Sequence, residues 1–167
     1  MILNALTYIY AEVPTHQVLD WISRNDLVDK LASSEKTLLS KANDELTIQD
    51  SIDCYWGIES LWALMWVGSL IKELDFAKSV LDPTVSCPDL QKSEDAKNFK
   101  LAMKIRSENE ILEMLELHHR LHCHAEECRT TGTDGKGIER NAIIERRKAL
   151  EWVCDTSMDW DSVEFNT

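Results

Sequence analysis

Glycine and proline are scarce in this chain, five and three in 167 residues. Apolar residues instead recur at three- and four-residue intervals almost throughout, so the chain reads as all-helical. No Gly-rich phosphate loop, His-Glu-x-x-His motif, nucleophile elbow or paired-Asp motif is present, which removes the sequence support for the standard chemistries those motifs carry. Cysteine is odd in number: Cys54, Cys87, Cys123, Cys128 and Cys154 show no Cys-x-x-Cys spacing. That pattern argues against a disulfide framework and a zinc knuckle, and predicts reduced thiols in a cytoplasmic protein. Bases are in deficit, 18 Lys and Arg against 30 Asp and Glu, for a formal charge of -12. Nucleic-acid binders draw most of their affinity from neutralising phosphates, so nucleic acid and anionic membranes are disfavoured as general partners. Long apolar runs are missing too. The most apolar segment, Ile58 to Ile71, contains Glu59 and falls short of the roughly 20 residues a membrane span requires. The opening residues, MILNALTYIYAEVP, have neither a basic start nor a small-residue cleavage site, so no secretory signal is expected.

What is there is a helical pattern with recognisable punctuation. A hydrophobic content of 44% over this length suits one domain, residues 1–167, with an acidic C-terminal tail at 155–167. The first helix is expected over Ile2 to Glu12, stopped by Pro14; Thr15 then caps a second carrying Val18, Leu19, Trp21 and Ile22. Leu27 to Leu31 reads as a short turn of helix, and Ser33 or Ser34 caps another through Leu38 and Leu39. Thr47 opens the most apolar helix, extending to about Leu74, with Trp56, Trp62 and Trp66 on more than one face, as a central buried helix requires. Pro83, Cys87 and Pro88 mark an irregular connection. A long helix from Ser107 to about Thr130 follows, then a loop with Gly132, Gly135 and Gly137, then a closing helix over Glu139 to Cys154. The expected fold is an all-α, single-domain bundle of about six to eight helices packed irregularly around the Trp-rich helix.

Three blocks carry a resemblance: WGIESLWALMWVGSL at Trp56 to Leu70, RSENEILEMLELHHRLHCHAEECR at Arg106 to Arg129, and the closing IERNAIIERRKALEWVCDTSMDWDSVEFNT at Ile138 to Thr167. In that order the chain resembles the bacterial domain of unknown function 4272, whose members end in a Glu-Arg-Arg, Ala-Leu-x-Trp helix followed by Trp-Asp-x-Val and a terminal Thr. The resemblance implies a helical fold and no reaction. In the family the pattern that opens here at Met1 usually follows a further N-terminal segment, so the expectation is a shortened chain whose uncapped first helix leaves apolar surface for another chain.

Four of the five histidines, His118, His119, His122 and His124, lie on the Ser107 helix with Cys123, Glu126, Glu127 and Cys128. At about 100° per residue, His119, His122 and Glu126 share one arc, and His118 stands one turn before His122. Two imidazoles and a carboxylate on one arc can hold Zn or Fe(II) with open positions for water. Ligands from a single helix rarely complete a coordination shell, however, so His118 and His119 are read first as residues filling core positions, and no cofactor is expected. Glu59 is the only charge between Asp53 and Lys72, inside a helix apolar nearly all round. Buried there, it needs a cation. Arg147 is the favoured partner because it falls beside Ile143, Ile144, Leu150 and Cys154, and Arg120 and Arg146 are the alternates. Trp160, Asp161 and Val163 form a short aromatic and acidic element in the tail, read either as an anchor that docks it or as a hook for a partner.

These features leave the activity unassigned and favour binding over catalysis. The leading expectation is a non-catalytic module for a basic protein partner, an immunity-type inhibitor of a basic toxin being one form of it. The alternatives are a metal-dependent enzyme using the histidine cluster and a structural subunit, with a monomer or homodimer as the assembly.

Overall fold

The computed structural model describes residues 13–77, 87–135, 137–155 and 157–163. The first helix expected from the sequence, over Ile2 to Glu12, and the connection at Pro83 fall outside them. Among the described residues there is no strand, and six α-helices run in order: α1 Thr15–Arg24, α2 Ser33–Leu39, α3 Ile48–Val67, α4 Lys97–Ala102, α5 Glu108–Thr131 and α6 Arg140–Cys154. Short 3-10 turns lie at Val28–Lys30, Asn43–Glu45 and Trp160–Ser162. No helix among the described residues is long and apolar enough to cross a membrane. The chain divides into two compact units, Met1–Ile58 with Asp82–Ala102, and Glu59–Leu81 with Met103–Thr167.

In the first unit α1 packs its buried face, Val18, Trp21 and Ile22, with Leu31, Leu39, Cys54, Leu90 and Ala96. Thr15 does not cap α1. It is the first helical residue, Pro14 holds the cap position, and the Thr15 hydroxyl donates instead to the Lys41 carbonyl at 2.8 Å. The end of α1 is sealed by an αL residue: Asp26 has φ of 57°, Leu27 N–H donates to Ile22 O at 3.1 Å and Asp26 N–H to Ser23 O at 3.1 Å. The cap of α2 also moves by one or two residues, to Ala32, whose N–H donates to the Glu35 carboxylate at 2.7 Å. Helix α4 has no counterpart in the sequence reading. Asp95 starts it by accepting from the Lys97 N–H at 2.9 Å.

Helix α3 begins where expected, because Thr47 and Asp50 form a reciprocal cap: Asp50 N–H donates to Thr47 Oγ1 at 3.1 Å and Thr47 N–H to Asp50 Oδ2 at 2.7 Å. It stops at Val67 rather than near Leu74. Ser69 takes φ of 56°, and Leu70 N–H turns back to Met65 O at 2.9 Å, which ends the helix although apolar spacing continues through Leu70, Ile71 and Leu74. Gly68 leaves room at this end for Met103, whose flexible side chain would have to shift for a Cβ that would sit 2.9 Å from its Cε. The chain that crosses is tied down by Lys104 N–H to Gly68 O and Arg106 N–H to Val67 O, both 2.9 Å.

In the second unit α5 and α6 pack against each other. Helix α5 opens with the Ser107 and Glu110 capping box and closes on Gly132 at φ of 70°. Helix α6 opens on Glu139, whose carboxylate accepts the Asn141 N–H at 3.2 Å. The apolar core of this unit gathers Ala63, Trp66 and Val67 of α3, Leu74, Ile111 of α5, and Ala149 and Leu150 of α6.

Candidate functional site: a buried charge cluster between α5 and α6

The polar side chains that face inward in the second unit are Glu59, Ser60, His118, His122, Arg146 and Arg147, all buried. Glu59 is 5% exposed and Arg146 is fully buried. Arg146 donates to Glu59 Oε2 through Nε at 2.8 Å, its Nη2 lies 2.7 Å from the same oxygen, and Nη1 donates to the Asp75 carbonyl at 2.9 Å. The partner of Glu59 is therefore Arg146, not the favoured Arg147. The reason lies in which stripe of α6 is buried. Ala142, Ile143, Ala149 and Leu150 are buried while Cys154 is exposed and Ile144 only half-buried, so the stripe centres on Arg146 and leaves Arg147 on its edge. The two small alanines, not the large Ile144, mark the contacting face. Arg120, the other alternate, is exposed and sits 3.2 Å from Glu116 on its own helix.

Arg147 serves a different group. Its Nη1 lies 3.0 Å from His122 Nδ1 and its Nε donates to Glu151 at 3.2 Å. A guanidinium is only a donor, so His122 Nδ1 accepts and its proton resides on Nε2, facing Glu126 Oε1 at 3.7 Å. Burial and the adjacent Arg147 charge hold the His122 pKa below its ordinary value. Glu126 collects cations at the rim, with Arg129 at 2.8 Å and a second contact to Arg140, and these hydrogen bonds push its carboxyl pKa down. His118 is fully buried, and its Nδ1 lies 2.9 Å from the Met114 carbonyl, which fixes the proton there and leaves Nε2 a lone pair. That Nε2 is a buried polar atom with no hydrogen-bond partner, and burial brings the His118 pKa down to about 4. Ser60 donates to the backbone and carboxylate oxygens of Glu145 at 2.9 and 2.8 Å.

The arrangement can hold two neutral imidazoles and one ion pair in a fixed geometry. It does not gather the four proposed metal ligands. His118 lies on the buried face of α5, while His119, about 100° further round, is exposed and Glu126 stands at the edge with two arginines on it. The Nδ1 of His122 is taken by Arg147. Among the described residues no group of three His, Cys, Asp or Glu is placed to hold a metal ion.

The tail element sits on the same unit. The Trp160 ring meets Trp152 edge to face at 5.6 Å between centroids, Lys148 Nζ lies 4.6 Å from the Trp160 centroid, and Trp160 packs against the apolar core. Asp159 caps this turn through the Asp161 N–H at 2.9 Å, Val163 is half-buried and Asp161 is exposed. Sequence reasoning missed Ser60, Glu145 and Lys148. Ser60 had a signal, a hydroxyl beside Glu59 in an otherwise apolar stretch; the role of Lys148 had none.

These features define an all-helical protein whose inward-facing charges are largely engaged by one another. The chain belongs to the family described as "Domain of unknown function (DUF4272)", which matches residues 1–163. No curated protein and no solved structure matches it.

Proposed function

We propose that the chain acts by binding a basic protein partner and not by catalysis. One observation carries the reading: Ile48, Ile52 and Tyr55, at i, i+4 and i+7 on the first half of α3, are 83%, 42% and 45% exposed. Three large apolar side chains on one helical stripe are a docking face of the kind a partner helix or strand covers. Exposed acids, Asp44 and Glu45 just before the helix and Asp53 within it, lie close by in sequence, and the chain carries -12 overall. That charge favours a partner of opposite sign and speeds its capture. The histidine cluster supports the same reading from the other side, because a fully buried neutral His118 and a His122 held by Arg147 offer no group to a substrate in solvent. An inhibitor that masks a basic toxin or enzyme in the manner of immunity proteins is the form of binding that this charge suits best, in a cytoplasmic setting that keeps the five thiols free.

The test is an affinity capture from the source cell with the wild-type chain beside an Ile48→Asp, Ile52→Asp variant. Both positions are exposed, so the variant should fold. A stoichiometric basic protein retained by the first and lost by the second is the expected result. Equal retention by both, or no stoichiometric partner at all, contradicts the proposal.

A further inference from the structure

The first unit also contains a cleft of about 380 Å³ whose lining includes Arg24, Asn25 and Asp26 at the end of α1 and Asp95, Lys97 and Lys100 at α4. Its floor is built, not incidental. Asn25 spans it, donating through Nδ2 to Trp21 O at 2.9 Å and accepting the Ala96 N–H on Oδ1 at 2.8 Å. The buried Trp21 ring adds a second tie, from Nε1 to the Glu94 carbonyl at 2.7 Å. The last carbonyls of α1 are already engaged by the N–H groups of Asn25, Asp26 and Leu27, so the negative end of that helix is muted where it meets the cleft.

The balance of charge around this floor is the reverse of that of the whole chain. Across the chain acids outnumber bases 30 to 18, yet here the three bases Arg24, Lys97 and Lys100 line the cleft with two acids, Asp26 and Asp95. Among the described residues no ion pair joins any of these five, although they share one cleft. Five charges of both signs, left without one another, form a template for a ligand that carries both signs.

We propose that this cleft binds a small metabolite with two anionic groups and one ammonium, the charge pattern of an acidic amino acid. The three cations against two carboxylates leave an excess of one positive charge, which a ligand of net -1 neutralises. A dicarboxylate without an amine meets Asp26 and Asp95 as uncompensated repulsion, and a diamine meets the three cations the same way. The volume falls in the range of about 300 to 1,000 Å³ usual for small-molecule sites, and the tied floor limits the ordering that binding must impose.

The experiment is a titration of the 15N-labelled chain at low salt with L-glutamate, L-aspartate, glutarate and inorganic phosphate in turn. Glutamate or aspartate should give saturable shifts of the Asn25, Ala96 and Lys97 amides in the millimolar range. Glutarate should bind about fivefold more weakly, the effect of losing one exposed ion pair of about 1 kcal/mol. A Lys97→Glu, Lys100→Glu double variant, both positions being exposed, should lose saturation while the rest of its spectrum is unchanged. Shifts that never saturate, equal binding of glutarate or phosphate, or undiminished binding by the double variant would each overturn the proposal.

Discussion

Removing the carboxylate of Glu59 leaves a fully buried guanidinium without its counter-ion, because Arg146 Nε and Nη2 both reach Glu59 Oε2 and Nη1 reaches only a neutral carbonyl, that of Asp75. An uncompensated buried charge of this kind costs about 3 to 5 kcal/mol. For a chain of this length that corresponds to a loss of roughly 10 °C in melting temperature for Glu59→Ala. The double variant Glu59→Leu, Arg146→Met replaces both charges by apolar groups of similar bulk, and it should recover about 2 kcal/mol or more of the single-variant loss. Arg147→Met is the internal control. Its hydrogen bonds go to His122 and Glu151 and not to the Glu59 carboxylate, so its effect should add to that of Glu59→Ala within about 0.5 kcal/mol. Urea unfolding followed by tryptophan fluorescence supplies all of these values. Additive effects of the Glu59 and Arg146 changes, or a Glu59 coupling that follows Arg147 instead, would refute the pairing.

Three further outcomes follow from the second unit. Because burial lowers the His118 pKa from 6.5 to about 4, the stability its neutral form contributes is complete above pH 6.5 and is lost as the pH falls toward 4, by up to about 3 kcal/mol; urea midpoints over that range should fall less steeply in His118→Phe, and parallel profiles would contradict this. Truncation after Asp155 removes the Trp160 packing, an apolar contribution of about 1.5 to 3 kcal/mol, and should lower the melting temperature by several degrees in a calorimetric scan, whereas an unchanged melt would make the tail a free hook. Protein purified without an affinity tag should carry no metal on α5, and one equivalent of Zn or Fe that disappears in His122→Ala or Glu126→Ala would sink that expectation.

Helix starts were legible in the sequence where a side chain does the capping. Thr47 with Asp50 and Ser107 with Glu110 announce α3 and α5 because hydroxyl and carboxylate stand three residues apart. The end of α3 was not, since Ser69 adopts a conformation ordinarily left to glycine and apolar spacing runs on past it. Helix α4 is only six residues long, too short for a periodic pattern to declare itself. The need of Glu59 for a guanidinium was readable from the lone charge in an apolar helix, but the choice between Arg146 and Arg147 was not. Ile144 and Cys154 look apolar in sequence and lie off the packed stripe, while Ala142 and Ala149 look neutral and define it. The same limit hid the exposed face at Ile48, Ile52 and Tyr55, because α3 is apolar enough overall to read as buried along its whole length. Where spacing alone was used on the histidines it gave a shared arc for His119, His122 and Glu126. It could not register that this arc lies at the edge of the α5 and α6 contact, where arginines take both His122 and Glu126.

The buried histidines of α5, His118 and His122, act as internal supports and not as acid or base groups if they stay neutral in fixed tautomers, and 15N NMR of the two imidazoles across pH 4 to 8 tests that most directly. Folded protein should show His118 neutral with its proton on Nδ1 throughout the physiological range, and His122 neutral with its proton on Nε2 and a pKa below the ordinary value. Either ring titrating at or above 6.5, or carrying the opposite tautomer, would free a group for proton transfer and contradict the binding account.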